Sequence, residues 1–474
     1  MRDNLLGQTV KDTSGRVYHL VKSVGEGAQG VVYETSDEFI VKHCFTTKEC
    51  REELTKRFLW IMNQRVPKDA RVVTPIAVLD HPNTGYVMKK VKGHEPLTNY
   101  VTASTKIPFA EWYNHLTGGL KKRLEIGAAL SKCFRNLHLH GLSYVDISPS
   151  NVLVARKVKS VVFIDPDNLT STGTFKTNIL GTPRYIAPEL FTGGHQPNSI
   201  TDTYAFAVIL FELLRLGHPL LGEDLLEEEP EREEEALRGE AVYIDHPTDD
   251  SNRNTKLLPA KYVFTEELAQ LFERMFVDGL HDYTKRPTMQ EFRLACQRAE
   301  DLLVDCNNPD CGSSYFLEGK EAVCPWCQTR GPQPFRFVSN ETITLKAEVF
   351  TGEKMDVPTK NVGDVLLKEG YNLLCRRHFE PASSLDGDEK VAVLELTSSH
   401  EIYLHTLPAH TIVLFNKSSR KNASLPPEKR IRIVSDDVMI YKFTDQLHEV
   451  EDIFGKCVIC NYGVVLSQED SIGS

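Results

Sequence analysis

Asp146 and Asn151 stand five residues apart in YVDISPSNVLV, and Asp165 closes the apolar run VVFIDPD. Two carboxylates and an amide carbonyl are thus placed at the ends of strand-like segments, and hard oxygen donors of this kind suit Mg²⁺ bridging phosphates. Far upstream, GEGAQGVV sets Gly25, Gly27 and Gly30 between two strand-like runs. Glycine there lets the backbone close over phosphates with no Cβ in the way and permits the positive φ of a tight hairpin tip. Its place before a strand rather than a helix points away from a dinucleotide fold. Lys42, in the apolar strand FIVKHC, must meet a negative partner, for which phosphate oxygens serve, or lie at an exposed edge. Its expected neighbour is a glutamate from the next helix, Glu49, Glu52 or Glu53, with Glu53 preferred. Downstream, GTPRYIAPE runs from Gly181 to Glu189. Each signal alone is weak, since glycine triplets decorate ordinary hairpins and aspartates cap turns; five in one order point to chemistry on phosphate.

The elements that position these residues are legible in outline. From Tyr18 to Cys44 short β-branched runs broken by Gly, Ser and Asp predict an antiparallel meander. Leu54, Phe58, Ile61 and Met62 recur at helical spacing and predict a helix packed on that sheet. A strand over Tyr86 to Val91 leads into a mostly helical region, with Leu120, Leu124, Leu130, Phe134 and Leu137 marking a long buried helix. The strand-rich start and helix-rich continuation make a two-lobed α+β body at 1–303, small lobe 1–91 and large lobe 92–303. The 474 residues, 41% of them apolar, suffice for two or three domains, and a net charge of −11 argues against nucleic acid as the main partner. No leader or membrane-spanning run is read. The longest apolar stretch, Tyr204 to Leu214, carries Glu212 and is expected to be a buried helix. From Glu223 to Glu240 ten acidic residues face only Arg232 and Arg238, read as a solvated helix or loop, with a docking surface for a basic partner as the alternative.

These motifs resemble those of eukaryotic-type Ser/Thr protein kinases. The resemblance implies that Asp146 accepts or orients the proton of the attacking hydroxyl, that Asn151 and Asp165 hold Mg²⁺, and that Lys42, steadied by Glu53, engages the phosphates of ATP. Gly25, Gly27, Gly30 and Val32 then cover the nucleotide, Met88 guards the back of the adenine pocket, and Lys89 to Val91 form the hinge. Glu189 is matched with Arg286 as an architectural pair, and Asp202 resembles the aspartate that pins the catalytic loop. The departures are as specific. Tyr144 and Val145 replace the family's His-Arg, so a phosphorylated activation segment has no arginine to meet there. Ser148 replaces a lysine, a loss on the order of 3 kcal/mol, about a hundredfold in rate, unless another cation compensates. Pro166-Asp167 replaces Phe-Gly, leaving Asp167 either to recruit metal or to face solvent. Two activities fit: a protein kinase acting on Ser/Thr of partner proteins, and a nucleotide-binding pseudokinase scaffold.

After residue 303 the character changes. Cys306 and Cys311 pair with Cys324 and Cys327 across twelve residues, a set suited to a structural zinc ribbon at 304–332, with free thiols or a redox pair as alternatives. Eleven cysteines, four of them clustered, favour a reducing cytoplasm. Cys375, His378, Cys457 and Cys460 could form a second metal site if the fold gathers them. From 333 to 474, runs such as ETITLKAEV, KVAVLELT, HEIYLHTL, TIVLF and RIRIV predict a mainly β domain, sandwich or barrel. KSSRK and EKRIR within it read as solvated strand edges rather than a nucleic-acid patch. A kinase followed by a zinc ribbon and a β module resembles the bacterial kinases of stress-response triads, which implies a phosphatase and a von Willebrand A-type protein as partners. A third reading makes residues 305–474 a nucleic-acid or phosphopeptide binder regulated by the kinase body.

Overall fold

The computed structural model describes residues 5–27, 29–157, 159–171, 181–192, 194–223, 230–317, 323–331, 335–346, 354–356, 360–378, 387–399, 401–408, 410–416, 421–433, 438–444 and 459–468. The chain divides into two compact units, Met1–Cys296 and Gln297–Ser474.

The first unit opens with a six-stranded antiparallel sheet: β1 (Thr9–Lys11), β2 (Val17–Gly27), β3 (Gly30–Thr35), β4 (Phe39–Cys44), β5 (Ala77–Val78) and β6 (Gly85–Lys89), in the order β1-β2-β3-β4-β6-β5. The alternation of β2 and β3 turns Tyr18, Leu20, Val31 and Tyr33 to one side, where they bury with Val10, Val41 and Val87. Helix α1 (Lys48–Asn63) starts where the Thr47 side chain accepts the Cys50 N–H, and it lays Phe58 and Ile61 on the sheet. Phe58 meets Tyr86 edge-on at 4.9 Å between ring centroids. Leu54 and Met62, expected on the same face, are only half-buried.

The rest of this unit is largely helical. Helix α2 (Gly119–His138) buries all five of its expected apolar positions, Leu120, Leu124, Leu130, Phe134 and Leu137. Helix α3 (Ser199–Arg215) is capped by Asn198 and Thr201, whose side chains accept from each other's ends of the first turn. Every residue from Thr201 to Arg215 is buried, as expected for a core helix. Of its two acidic residues, Asp202 and Glu212, the second accepts a 2.8 Å hydrogen bond from the Tyr185 hydroxyl. No helix among the described residues is long and apolar enough to cross a membrane. Short strands β7 (His94–Pro96), β8 (Leu142–Ser143), β9 (Val152–Ala155), β10 (Val161–Phe163) and β11 (Thr170–Ser171) pair as β10-β9-β7 and β11-β8, and the turns between them carry the predicted carboxylates. The acidic stretch contains a short helix, Pro230–Glu235, in which Glu233 pairs with Arg184 at 3.2 Å, while Ala236 and Leu237 turn inward. Residues 224–229 of that stretch lie outside the described ones.

The second unit is predominantly antiparallel β. A hairpin of β12 (Leu303–Asp305) with β13 (Ser314–Phe316) carries the first cysteines. Strands follow at Phe335–Lys346, Lys360–Leu367, Gly370–Cys375, Lys390–Leu396, Ile402–Thr406, Thr411–Asn416, Lys421–Leu425, Arg430–Ile433, Val438–Thr444 and Ile459–Gln468. Each alternating run read from the sequence overlaps one of them within the described residues. Val391, Leu394, Leu404 and Ile412 form the centre of its core. The whole is α+β.

Candidate active site

The turn that presents Asp146 is strained and held. Val145 has φ +73°, the left-handed region, a rare place for a β-branched residue, and the Asp146 N–H donates back to the Tyr144 carbonyl at 3.0 Å. Asp202, on α3 and 1% exposed, accepts the Tyr144 N–H at 2.8 Å and the Val145 N–H at 3.0 Å. His138 Nε2 lies 2.9 Å from the same carboxylate. Strain of this kind persists where its surroundings over-determine it, and a buried carboxylate taking two backbone donors does so here. Asn151 donates from Nδ2 to the Asp146 carbonyl at 2.9 Å, leaving its amide oxygen for another partner. Thr182 donates to Asp146 Oδ1 at 2.8 Å. Gly181, at φ +106°, is needed at this approach, since a Cβ there would stand 3.2 Å from the Val145 carbonyl. Glu189 and Arg286 form a bidentate pair with both contacts at 2.7 Å, as the resemblance implied.

Lys42 enters from β4. Its Nζ donates to both oxygens of Asp165 at 2.8 Å and lies 2.7 Å from Asp167 Oδ2. Burial opposes its charge, but the Asp167 and Asp165 carboxylates outweigh burial and raise its pKa. Asp165 is pushed up to about 6, by burial first and by Asp167 second, with Lys42 pulling the other way. Its N–H donates to the Tyr144 hydroxyl at 3.1 Å. The phenol of Tyr144 is raised well above its usual value, by burial and then by Asp165.

The expected helix glutamate is not there. Glu53 is exposed, Glu52 pairs with Lys56 at the surface, and Glu49 caps the helix start beside Thr47. The face of α1 that reaches the site carries Arg57 instead, whose Nε and Nη2 donate to the carbonyls of Asp167 and Leu169 at 3.0 and 2.7 Å. Asp167 likewise does not face solvent: its side chain is 11% exposed and set against Lys42.

These groups line one cleft of about 720 Å³. Gly25, Gly27, Gly30, Val32, Lys42, Met88, Val91, Asp146, Asn151 and Asp165 all border it, and Glu53 does not. None of the three loop glycines has a positive φ. Gly30 is required by close packing, since a Cβ would fall 2.2 Å from the His43 carbonyl oxygen, whereas Gly25 and Gly27 stand against open space. Sequence reasoning did not single out Ile40, Val73, Leu153 and Ile164, apolar walls of the cleft; alternation in β4 and β9 was the available signal for Ile40 and Leu153.

The family model for the protein kinase domain matches residues 18–295, more than half of the chain. The chain belongs to the protein kinase family. It is 27% identical over 239 residues to the serine/threonine-protein kinase PknD of Chlamydia pneumoniae, covering 43% of this chain and 24% of that protein. The dual serine/threonine and tyrosine protein kinase of Mus musculus is 32% identical over 204 residues, 41% of this chain and 19% of the relative. The probable serine/threonine-protein kinase PknB of Lactococcus lactis is 25% identical over 221 residues, 44% and 32%. The chain thus spans about a fifth to a third of the length of these kinases.

Outside the kinase domain, the Sγ atoms of Cys306, Cys311, Cys324 and Cys327 lie within 4.8 Å of one another. Cys306 and Cys327 are 3.4 Å apart, Cys311 and Cys324 3.8 Å. Zinc–sulfur bonds of about 2.3 Å in a tetrahedron place sulfurs about 3.8 Å apart, so the donor set fits a closed zinc shell. It is the sole such cluster among the described residues. The second site read from the sequence is not formed by His378. Its Nδ1 accepts the Cys375 N–H at 3.0 Å and its Nε2 meets Asp301 at 2.9 Å, so both ring nitrogens are engaged. Cys460 lies in the last strand, and Cys457 lies outside the described residues.

Proposed function

We propose that the chain is an ATP- and Mg²⁺-dependent protein kinase that transfers the γ-phosphoryl group to Ser or Thr of partner proteins. The observation that carries this reading is the convergence of Asp146, Asn151, Asp165 and Lys42 on one cleft beneath a glycine hairpin. The oxygens of Asn151 and Asp165 are the hard donors that would hold Mg²⁺, and the bound metal neutralises charge on the phosphates. Asp146, held by its strained turn and by Thr182, orients the attacking hydroxyl and takes its proton. Lys42 supplies the cation on the phosphates, Gly25 and Gly27 open their backbone toward them, and Met88 and Val91 border the base. Radiolabelled ATP with Mg²⁺ tests the reading: the chain is expected to label itself or a general protein substrate, and Asp146→Ala and Asp165→Ala to fall by about a hundredfold or more. Equal label from all three proteins rejects it.

The alternative, a nucleotide-binding pseudokinase scaffold, is favoured by one feature: Ser148 stands where the family has a lysine, and its hydroxyl pairs with Ser150 at 2.8 Å. Nucleotide binding without transfer in the same assay would select it. The four clustered cysteines are proposed to hold a structural zinc, which accords with thiols kept reduced in a cytoplasm. The order of kinase, cysteine cluster and β domain supports partner proteins as substrates, among them a phosphatase and a von Willebrand A-type protein, docked by residues beyond 303. A truncation ending near Leu303 should then phosphorylate such partners more slowly than the full chain.

A further inference from the structure

The ion pair that orients Lys42 is drawn from an unexpected element. Asp165 is the carboxylate proposed for the metal, so its oxygens are committed elsewhere when the site is loaded. Asp167 is the other partner, at 2.7 Å. It sits in a single 3-10 turn, Pro166–Asn168, that begins with the fixed φ of a proline, ends on the buried Asn168, and closes through the Leu169 N–H to the Pro166 carbonyl at 2.9 Å. Tyr86, the cross-strand partner of Lys42 on β6, is fully buried beside it. Arg57 clamps the same turn from α1 through two backbone carbonyls. No glutamate of α1 takes part: Glu52 is spent on Lys56, and Glu53 is exposed.

We propose that Asp167 is a positioning residue for phosphoryl transfer, a carboxylate fixed in the Pro166–Asn168 turn that holds Lys42 toward the cleft in place of a helix glutamate. The placement of the lysine then travels with this turn and not with α1, and Arg57 ties α1 to the turn rather than α1 tying the lysine. The inference rests on the kinase reading and explains why Pro-Asp follows the metal carboxylate: proline stiffens the turn and aspartate supplies the counter-charge.

The test compares Asp167→Asn, Asp167→Glu, Lys42→Met and the triple variant Glu49→Gln/Glu52→Gln/Glu53→Gln. Asp167→Asn is expected to lower kcat by about 30-fold with KM for ATP changed less than about threefold, Asp167→Glu to recover a large part of that loss, and the triple variant to stay within about twofold of the parent chain. A merely structural role would not produce that split or its rescue. A triple variant as impaired as Lys42→Met overturns the proposal by itself, even if Asp167→Asn does not fold, and so does an Asp167→Asn variant with unchanged kcat. A urea-unfolding cycle reads the pair without catalysis: the drop in midpoint caused by Asp167→Asn should shrink to less than half in a Lys42→Met background. An undiminished drop overturns the proposal, whereas a parent chain inactive toward every substrate ends the kinase reading and leaves the cycle to decide this one.

Discussion

Tyr144 shows how a substituted motif residue takes up a new task. Its hydroxyl accepts the Asp165 N–H, and its own N–H is fixed by Asp202, so one side chain joins the two carboxylate-bearing turns. Tyr144→Phe leaves that buried N–H unmet and should lower the urea-unfolding free energy by about 1–2 kcal/mol, with slower phosphoryl transfer in parallel. The Asp146–Asn151 pair was legible because both lie in one local turn, and spacing within a turn survives in the sequence. Asp167 was not, because its partner Lys42 comes from β4, more than a hundred residues earlier, and a Pro-Asp dipeptide does not say which way the carboxylate points. The departure from Phe-Gly marked the place without revealing the contact.

At the scale of elements, the rotation of α1 decided what spacing left open. Three glutamates in five residues could each have faced Lys42; burial of Phe58 and Ile61 turns the helix so that Arg57 reaches the site instead. The link from α3 to the catalytic turn makes a second prediction. Asp202→Ala removes the acceptor of two buried N–H groups and the partner of His138, and should destabilise the chain by about 3–5 kcal/mol and abolish transfer with Asp146 intact, as followed by urea unfolding and ATP turnover. The loop after α3 carries a pH dependence. His218 is 2% exposed, accepts the Leu220 N–H at Nδ1 and donates from Nε2 to the Arg184 carbonyl, and burial pushes its pKa down to about 3 from an ordinary 6.5. A histidine that folds neutral contributes fully above about pH 6.5, and its contribution is lost as pH falls from there toward 3 because the unfolded chain takes up the proton first. By pH 5 the parent chain should have lost about 2 kcal/mol relative to His218→Gln, measured as the difference between their unfolding free energies at pH 7 and pH 5.

Over the whole molecule, alternation in the sequence located five of the strands of the second unit, because period-two burial is written directly in residue type. It did not reveal how those strands group into sheets: Phe335–Lys346 pairs with Ile459–Gln468, more than a hundred residues on. Local spacing also misled at Cys375 and His378, where a three-residue gap suited to metal ligands instead closes a backbone hydrogen bond. The cysteine cluster predicts about one zinc per chain, released together with four titratable thiols by a strong chelator; Cys324→Ser should lose the metal. The central claim, that distant oxygens and a lysine converge to hold magnesium and nucleotide, is met most directly by a crystal structure with Mg²⁺ and a non-hydrolysable ATP analogue. The account predicts the nucleotide in the cleft between Met88 and Lys42, with metal about 2.1 Å from oxygens of Asn151 and Asp165; nucleotide bound elsewhere, or metal touching neither residue, would contradict it.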